Sequence, residues 1–306
     1  VKVLVTGGAG FIGSHIVDKL IQSNYQVIVI DNLSTGLREN INRSATFIEM
    51  DICSDKILEL FETERFDYVI HQAAQTMVPQ SIAMPDYDCQ VNILGTVNVL
   101  EACRKTGVKR IICASTAAVY GNVADVPVLE STVTRPTSFY GLSKLAVERY
   151  LSLYNQVFGL EYAALRYANV YGERQGDAGE GGVISIFTRK IHHKQAVSIY
   201  GDGGQTRDFI YVGDVAAANV KALTAKKCND AYNISTQTET SINTLVELMS
   251  KIAGNEFPKK YEQPREGDIY RSSLSNAAAR HHLNWQPEMP LLDGLARTYY
   301  SLTNKL

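Results

Sequence analysis

Tyr140 and Lys144 stand four residues apart in Tyr140-Gly141-Leu142-Ser143-Lys144. On a helix that spacing puts both side chains on one face, so an ammonium can lie beside a phenol. A free phenol titrates near ~10. A base working at neutral pH needs that lowered by about 3 pH units, or ~4 kcal/mol. Lys144 is a natural source of that stabilisation. With 17 tyrosines in the chain, about one such spacing arises by chance, so its place in the chain decides its weight. Upstream runs Ile111-Ile112-Cys113-Ala114-Ser115-Thr116-Ala117-Ala118-Val119-Tyr120-Gly121, a strand-like stretch ending in hydroxyls. A hydroxyl of Ser115 or Thr116 at the carboxyl end of such a strand can bond both the phenol and a substrate hydroxyl.

The first turn of the chain, Thr6-Gly7-Gly8-Ala9-Gly10-Phe11-Ile12-Gly13, contains G-x-G-x-x-G at Gly8, Gly10 and Gly13. It follows a strand-like run and opens a helix, as a dinucleotide fingerprint requires. Its glycines let the backbone approach a pyrophosphate, and the helix N-terminus supplies N–H donors. Asp31, 18 residues after Gly13, is placed to accept the ribose hydroxyls and to repel a 2′-phosphate. Asn32-Leu33-Ser34 offers no arginine in compensation. NAD rather than NADP is expected, and its cationic nicotinamide is a second charge for the phenol.

The elements that hold these residues alternate. Strands are expected at Val1–Val5, Gln26–Ile30, Thr46–Glu49, Tyr68–His71, Arg110–Ser115 and Tyr162–Arg166. Helices are expected at Gly13–Ser23, Asn92–Thr106 and Tyr140–Phe158, where apolar residues recur at helical spacing. This α/β order implies parallel βαβ units in a doubly wound sheet. After Tyr171 the composition changes. Gly172 to Gly182, with five glycines, reads as a mobile loop, and Pro258, Pro264, Pro287 and Pro290 punctuate the rest of the chain. The expected division is a cofactor domain over 1–168 and a smaller mixed α/β domain over 169–306. A segment near 205–225, containing a strand at Phe209–Val212, is expected to return to the first.

The chain has 306 residues, 30 Lys plus Arg against 32 Asp plus Glu, and 45% hydrophobic residues. The near balance of charge removes the basic field of a generic nucleic-acid binder. There is enough apolar material for a core, and no run approaches the ~20 residues of a bilayer span. No signal-peptide pattern is expected ahead of the first strand. The five cysteines include no C-x-x-C pair, which fits a reduced, cytoplasmic protein. His192-His193 and His281-His282 lack ligand spacing to other donors, so no metal site is expected.

The motifs T-G-G-A-G-F-I-G, S-T-A-A-V-Y-G, Y-G-L-S-K and L-R-Y-A-N-V-Y-G follow one another in that order. Together they resemble the extended short-chain dehydrogenase/reductase superfamily and, within it, the UDP-glucose (UDP-galactose) 4-epimerases, with UDP-GlcNAc 4-epimerases close by. The resemblance spans the chain. It implies a Rossmann domain with tightly bound NAD, a UDP-sugar substrate and inversion at sugar carbon 4 through a 4-keto intermediate. It makes Tyr140 the acid and base, Lys144 its tuning partner, and Thr116 the strand hydroxyl, with Ser115 sharing that role. Cofactor contacts are implied at Gly7, Gly10, Phe11, Ile12, Gly13, Asp31, Asn32, Asp51, Ile52, Ala73, Ala74, Gln75 and Asn92. Thr76 stands where some epimerases carry a lysine.

For the nucleotide sugar the resemblance implies Asn169, Val183, Ser198, Tyr200, Arg207, Arg265 and Asp268. Arginine suits a diphosphate because its fork pairs two oxygens. Four residues after Asp268 lies Ser272, at the position that gates the C2 substituent in this family. Tyrosine there tends to exclude N-acetyl sugars and serine leaves room, although Tyr270 is only two residues away. Ala117-Ala118 replaces the acidic pair of related dehydratases. A UDP-uronate 4-epimerase, a dehydrogenase with exchangeable NAD and a non-catalytic NAD sensor are the competing readings. The resemblance further implies a homodimer through Tyr87–Cys103 and Ser143–Phe158.

Overall fold

The structure is a computed structural model describing residues 1–176, 182–254, 256–264 and 269–303. The first six strands are β1 (Lys2–Thr6), β2 (Gln26–Asp31), β3 (Thr46–Glu49), β4 (Tyr68–His71), β5 (Arg110–Thr116) and β6 (Glu161–Tyr167). With β11 (Asp230–Ile234) they form one parallel sheet in the order β3-β2-β1-β4-β5-β6-β11. This is the doubly wound arrangement expected from the alternation. The strand order reverses between β1 and β4, and a ligand crevice belongs outside the carboxyl ends there.

Both faces of the sheet are covered, so its strands are nearly continuous apolar runs. Val3 and Val5 of β1 face one core, beside Ile16, Val17 and Leu20 of α1 (Phe11–Gln22). Leu4 faces the other core, with Phe61 of α2 (Ile57–Glu64) and Val99 and Leu100. The short helices α3 (Val78–Ala83) and α4 (Pro85–Asp88) lead into a π-wound segment, Cys89–Gly95, before α5 (Thr96–Thr106). The single helix expected over Asn92–Thr106 is therefore interrupted: its first residues take the wider winding, and Gly95 packs on the Ile52 side chain. Gly107, at φ 75°, ends α5. The long α6 (Phe139–Phe158) comes after β5.

A separate apolar core lies among α7 (Val183–His192), α9 (Ile242–Ala253), α11 (Leu291–Thr303) and short strands. Those strands are β7 (Asn169–Tyr171), β8 (Val197–Tyr200), β9 (Thr206–Arg207), β10 (Phe209–Tyr211), β12 (Thr240–Ser241) and β13 (Lys259–Glu262), paired as β10-β7, β12-β9 and β13-β8. The strand expected at Phe209–Val212 thus pairs with β7 rather than entering the large sheet. The segments that return are α8 (Val212–Thr224), packed on α1, and β11. β11 broke the apolar pattern because Asn233 sits in it. That side chain is buried, accepting from the Tyr120 hydroxyl at 2.7 Å and donating to Val128 O at 3.0 Å. The short α10 (Ala277–Leu283) packs against β11 and α8.

Candidate active site

A cavity of about 780 Å³ opens outside the carboxyl ends of β1, β2, β4 and β5. The glycine turn forms its floor. A Cβ on Gly13 would lie 2.1 Å from Gly7 O, and one on Gly7 would lie 2.6 Å from Ala73 N. The turn and the loop after β4 therefore meet backbone to backbone, leaving the N-terminus of α1 facing the cavity. Gly7, Gly10, Phe11, Ile12 and Gly13 all line it. So do Asp31 and Asn32, Asp51 and Ile52, and Ala73, Ala74 and Gln75. The Asp31 carboxylate accepts from Ala9 N at 3.0 Å and Leu33 N at 2.8 Å, which aims it along the rim. Burial pushes its pKa up, against those two bonds.

Ser138 caps α6 by accepting from Gly141 N at 3.1 Å, which places Tyr140 in the first turn. Gly141 lets α6 approach the turn after β5 closely: a Cβ there would lie 2.7 Å from Ala118 O. The Tyr140 hydroxyl thereby reaches the Thr116 hydroxyl. Thr116 also accepts from Ala118 N at 3.2 Å, which fixes its rotamer at the end of β5. Lys144, one turn along α6, is 6% exposed and donates from Nζ to Ala114 O at 3.2 Å. Tyr140, Lys144, Thr116 and Ser115 all line the same cavity.

Burial pushes the Tyr140 phenol up to about 12, and its bond to Thr116 only partly opposes this. Burial also pulls the Lys144 ammonium below its ordinary value. The chain alone therefore does not lower the phenol as its spacing from Lys144 suggests, because desolvation is the larger effect.

Two of the expected residues hold buried partners. Ser115 lines the cavity with its hydroxyl donating to Glu148 Oε1 at 2.5 Å. Glu148 is in turn ion-paired with Arg166 at 2.6 Å, both side chains 7% exposed. Asn92 does not line the cavity. It is 1% exposed, donating to Gln75 O, Asp88 Oδ1 and Ser143 Oγ at 3.0–3.1 Å while its own oxygen accepts from Gln75 N at 2.8 Å. The sequence reading missed His71 and Asp88 as parts of this support. Nothing in the local pattern around Asp88 signals its burial.

The model of the NAD dependent epimerase/dehydratase family matches residues 3–235. The chain belongs to that family. A Methanocaldococcus jannaschii protein provisionally named UDP-glucose 4-epimerase is 49% identical, across 99% of this chain and 98% of that protein. The structure of the Thermotoga maritima UDP-glucose 4-epimerase with UDP-glucose is similar at a TM-score of 0.97 and 42% identity, covering 100% and 99% of the two chains. The UDP-N-acetylglucosamine 4-epimerase of Methanobrevibacter ruminantium, in complex with UDP-N-acetylmuramic acid, is similar at 0.95 and 35% identity, covering 100% and 99%.

Within this epimerase/dehydratase fold, the residues expected to hold a substrate are scattered. Asn169 and Val183 line the cavity. Ser198 and Tyr200, on β8, do not. Ser198 receives a bond from Lys190 Nζ at 3.3 Å, and Tyr200 O accepts from Gln205 Nε2 at 2.7 Å. Arg207 on β9 donates to Ile269 O at 2.6 Å, fastening the segment that holds Ser272. Ser272 is partly buried and outside the cavity lining. Arg265 and Asp268 lie outside the described residues, as does 177–181 of the expected loop.

Proposed function

We propose that the protein inverts UDP-hexoses at sugar carbon 4, interconverting UDP-glucose with UDP-galactose and UDP-GlcNAc with UDP-GalNAc. The observation that carries this reading is the meeting of Tyr140, Thr116 and Lys144 in the cavity whose other end is the glycine turn and Asp31. It is supported by whole-chain similarity to proteins named for the same reaction.

The cavity fits NAD on its own geometry. The Gly7–Gly13 turn leaves no room for a Cβ, so backbone N–H groups can approach a pyrophosphate. Asp31 closes the adenosine end to a 2′-phosphate. NAD, when bound, supplies hydride acceptance and return at the sugar carbon, and a positive charge beside the phenol. Tyr140 takes the proton of the 4-hydroxyl and gives it back on the other face. Thr116 directs the phenol and holds the sugar oxygen at the same time. Lys144 shares the Tyr140 face of α6 and meets the developing phenolate with positive charge. No acid faces this point from the Ala117–Val119 turn, which favours simple inversion over elimination.

The sugar must turn, so binding belongs to the diphosphate and uridine rather than the hexose. Asn169, Val183, Ser198, Tyr200, Arg207, Arg265, Asp268 and Ser272 are assigned to that part. Residues 1–168 serve the cofactor and 169–306 the nucleotide sugar, with 212–234 lent to the sheet. A homodimer is assigned to the face where Leu94, Leu153, Val157 and Phe158 are all more than half exposed. Val147 and Leu151, from the same segments, belong to the internal core. All five cysteines are free thiols, and no described helix is long and apolar enough to cross a membrane. A cytoplasmic location accords with the thiols.

The test is a proton NMR time course with UDP-galactose and UDP-GalNAc in one tube and no added NAD. Both should convert to their gluco partners without accumulation of NADH. Net NADH formation, or conversion of neither sugar after NAD is added, would overturn the reading.

A further inference from the structure

Asp88 ends α4 and is 1% exposed. Among the described residues it forms no ion pair. It accepts instead from Gln75 Nε2 at 2.8 Å and Asn92 Nδ2 at 3.1 Å. Asn92 passes the connection to Ser143 Oγ at 3.0 Å, and Ser143 donates to Tyr140 O at 3.0 Å. One carboxylate thus lies at the root of the bonds joining the loop after β4, the π-wound turn and the first turn of α6. Its charge also reaches the reacting pair, favouring the Lys144 ammonium and opposing a Tyr140 phenolate.

We propose that Asp88 is a positioning residue for the proton-transfer pair, fastening Gln75 and Asn92 to α6 and setting a buried negative charge within reach of Lys144 and Tyr140. The other groups facing Lys144 do not supply that charge. Cys113 faces it from β5 as a thiol that burial pushes up to about 11. His71 faces it from β4 as a neutral ring, its pKa depressed to about 3 by burial. Glu148 acts on the adjoining Cys113 but is paired with Arg166. Asp88 therefore favours the charged form of a desolvated lysine, against the pull of burial.

The inference rests on the proposed proton-transfer roles of Tyr140 and Lys144, and its test separates the two. Asp88→Asn keeps an oxygen that accepts both bonds and removes the charge. Both limbs of its kcat pH profile should move to lower pH, by about half a unit or more. The Lys144 side-chain nitrogen resonance, assigned by its absence from Lys144→Met, should titrate at lower pH by a similar amount. That second readout needs no turnover, so it stands even if the sugar assignment fails. Asp88→Glu restores the charge with altered geometry, and should lower kcat while leaving both limbs in place. Unmoved limbs and an unmoved lysine resonance in Asp88→Asn would overturn the proposal. So would failure of both Asp88→Asn and the smaller neutral Asp88→Ser to fold, since the residue would then be structural.

Discussion

At one end of the cavity, Tyr140, Thr116 and Lys144 come from β5 and α6, two elements of the large sheet domain, and each has a fixed partner. Toward the other core, Ser198, Tyr200 and Arg207 come from two-stranded sheets: Ser198 accepts from Lys190 Nζ, Tyr200 O accepts from Gln205, and Arg207 donates to Ile269 O. The difference reflects the task of each end under the proposed reaction. Proton transfer requires donor and acceptor held within tenths of an ångström, which needs support built of buried, fully bonded groups. A site that grips a nucleotide while the sugar turns needs clamps, not a rigid cast.

The comparison breaks most directly at Tyr140. Tyr140→Phe removes only the hydroxyl and leaves the ring against Thr116. Turnover of UDP-galactose should fall by about 10³-fold or more, while the folded state and cofactor content stay unchanged. Thr116→Val should cost roughly 10–100-fold, and Thr116→Ser much less, because serine keeps the hydroxyl. Substitutions among the proposed nucleotide contacts, such as Ser198→Ala, should act mainly on KM. NMR progress curves over substrate concentration separate the two cases. An equal kcat loss at Ser198 would mean that both ends are built to the same tolerance.

This asymmetry also governs how much of the molecule is legible in its sequence. The sheet was legible because Val1–Val5, Gln26–Ile30 and Arg110–Ser115 are apolar runs, and parallel strands must be buried on both faces. The glycine turn and Y-x-x-x-K were legible because spacing alone fixes which atoms meet. β11 was not, since its Asn233 side chain is bonded by Tyr120 and Val128, more than a hundred residues away in sequence. Asn92 was placed near the cofactor, but its long-range bonds to Gln75 and Ser143 turn it away from the cavity. The bond of Ser115 depends on Glu148, on another element. Polar groups whose partners are distant carry no local pattern.

The rigid end carries a pH signature that sharpens the contrast. Thr6 Oγ1 lies 2.7 Å from His71 Nδ1, and His71 Nε2 lies 3.0 Å from Thr96 Oγ1. Thr96 donates onward to Asn92 O at 2.6 Å, so the ring gives its Nε2 proton to Thr96 and accepts from Thr6 at Nδ1. Burial depresses the His71 pKa from 6.5 to about 3. The unfolded chain therefore binds a proton that the folded chain refuses. This contribution is fully present above pH 6.5 and is lost as pH falls toward 3, the loss reaching about 2 kcal/mol at pH 5. Urea unfolding at pH 7 and pH 5 should show a smaller pH-dependent loss in His71→Gln than in the parent. Parallel losses in the two proteins would mean that His71 protonates freely in the folded state.

The smallest effect belongs to the clamp end, at Ser272. Its neighbours are tied down: Arg271 pairs with Glu239 at 2.5 Å, and Ser273 Oγ donates to Asp208 Oδ2 at 3.4 Å. Tyr270 is aimed elsewhere, its hydroxyl 3.4 Å from Asp202 and its side chain largely in solvent. A bulky ring at 272 would thus be held in place by its flanks and could not swing aside freely. If Ser272 faces the C2 substituent, Ser272→Tyr should lower kcat/KM for UDP-GalNAc about 10-fold while leaving UDP-galactose within roughly 2-fold, the scale set by excluding a small group from a pocket. A uniform loss on both sugars would show that the ring disturbs the nucleotide clamp. Undiminished N-acetyl turnover would show that residue 272 lies away from the sugar, and that loose geometry at this end, not a side-chain gate, sets which sugars can turn.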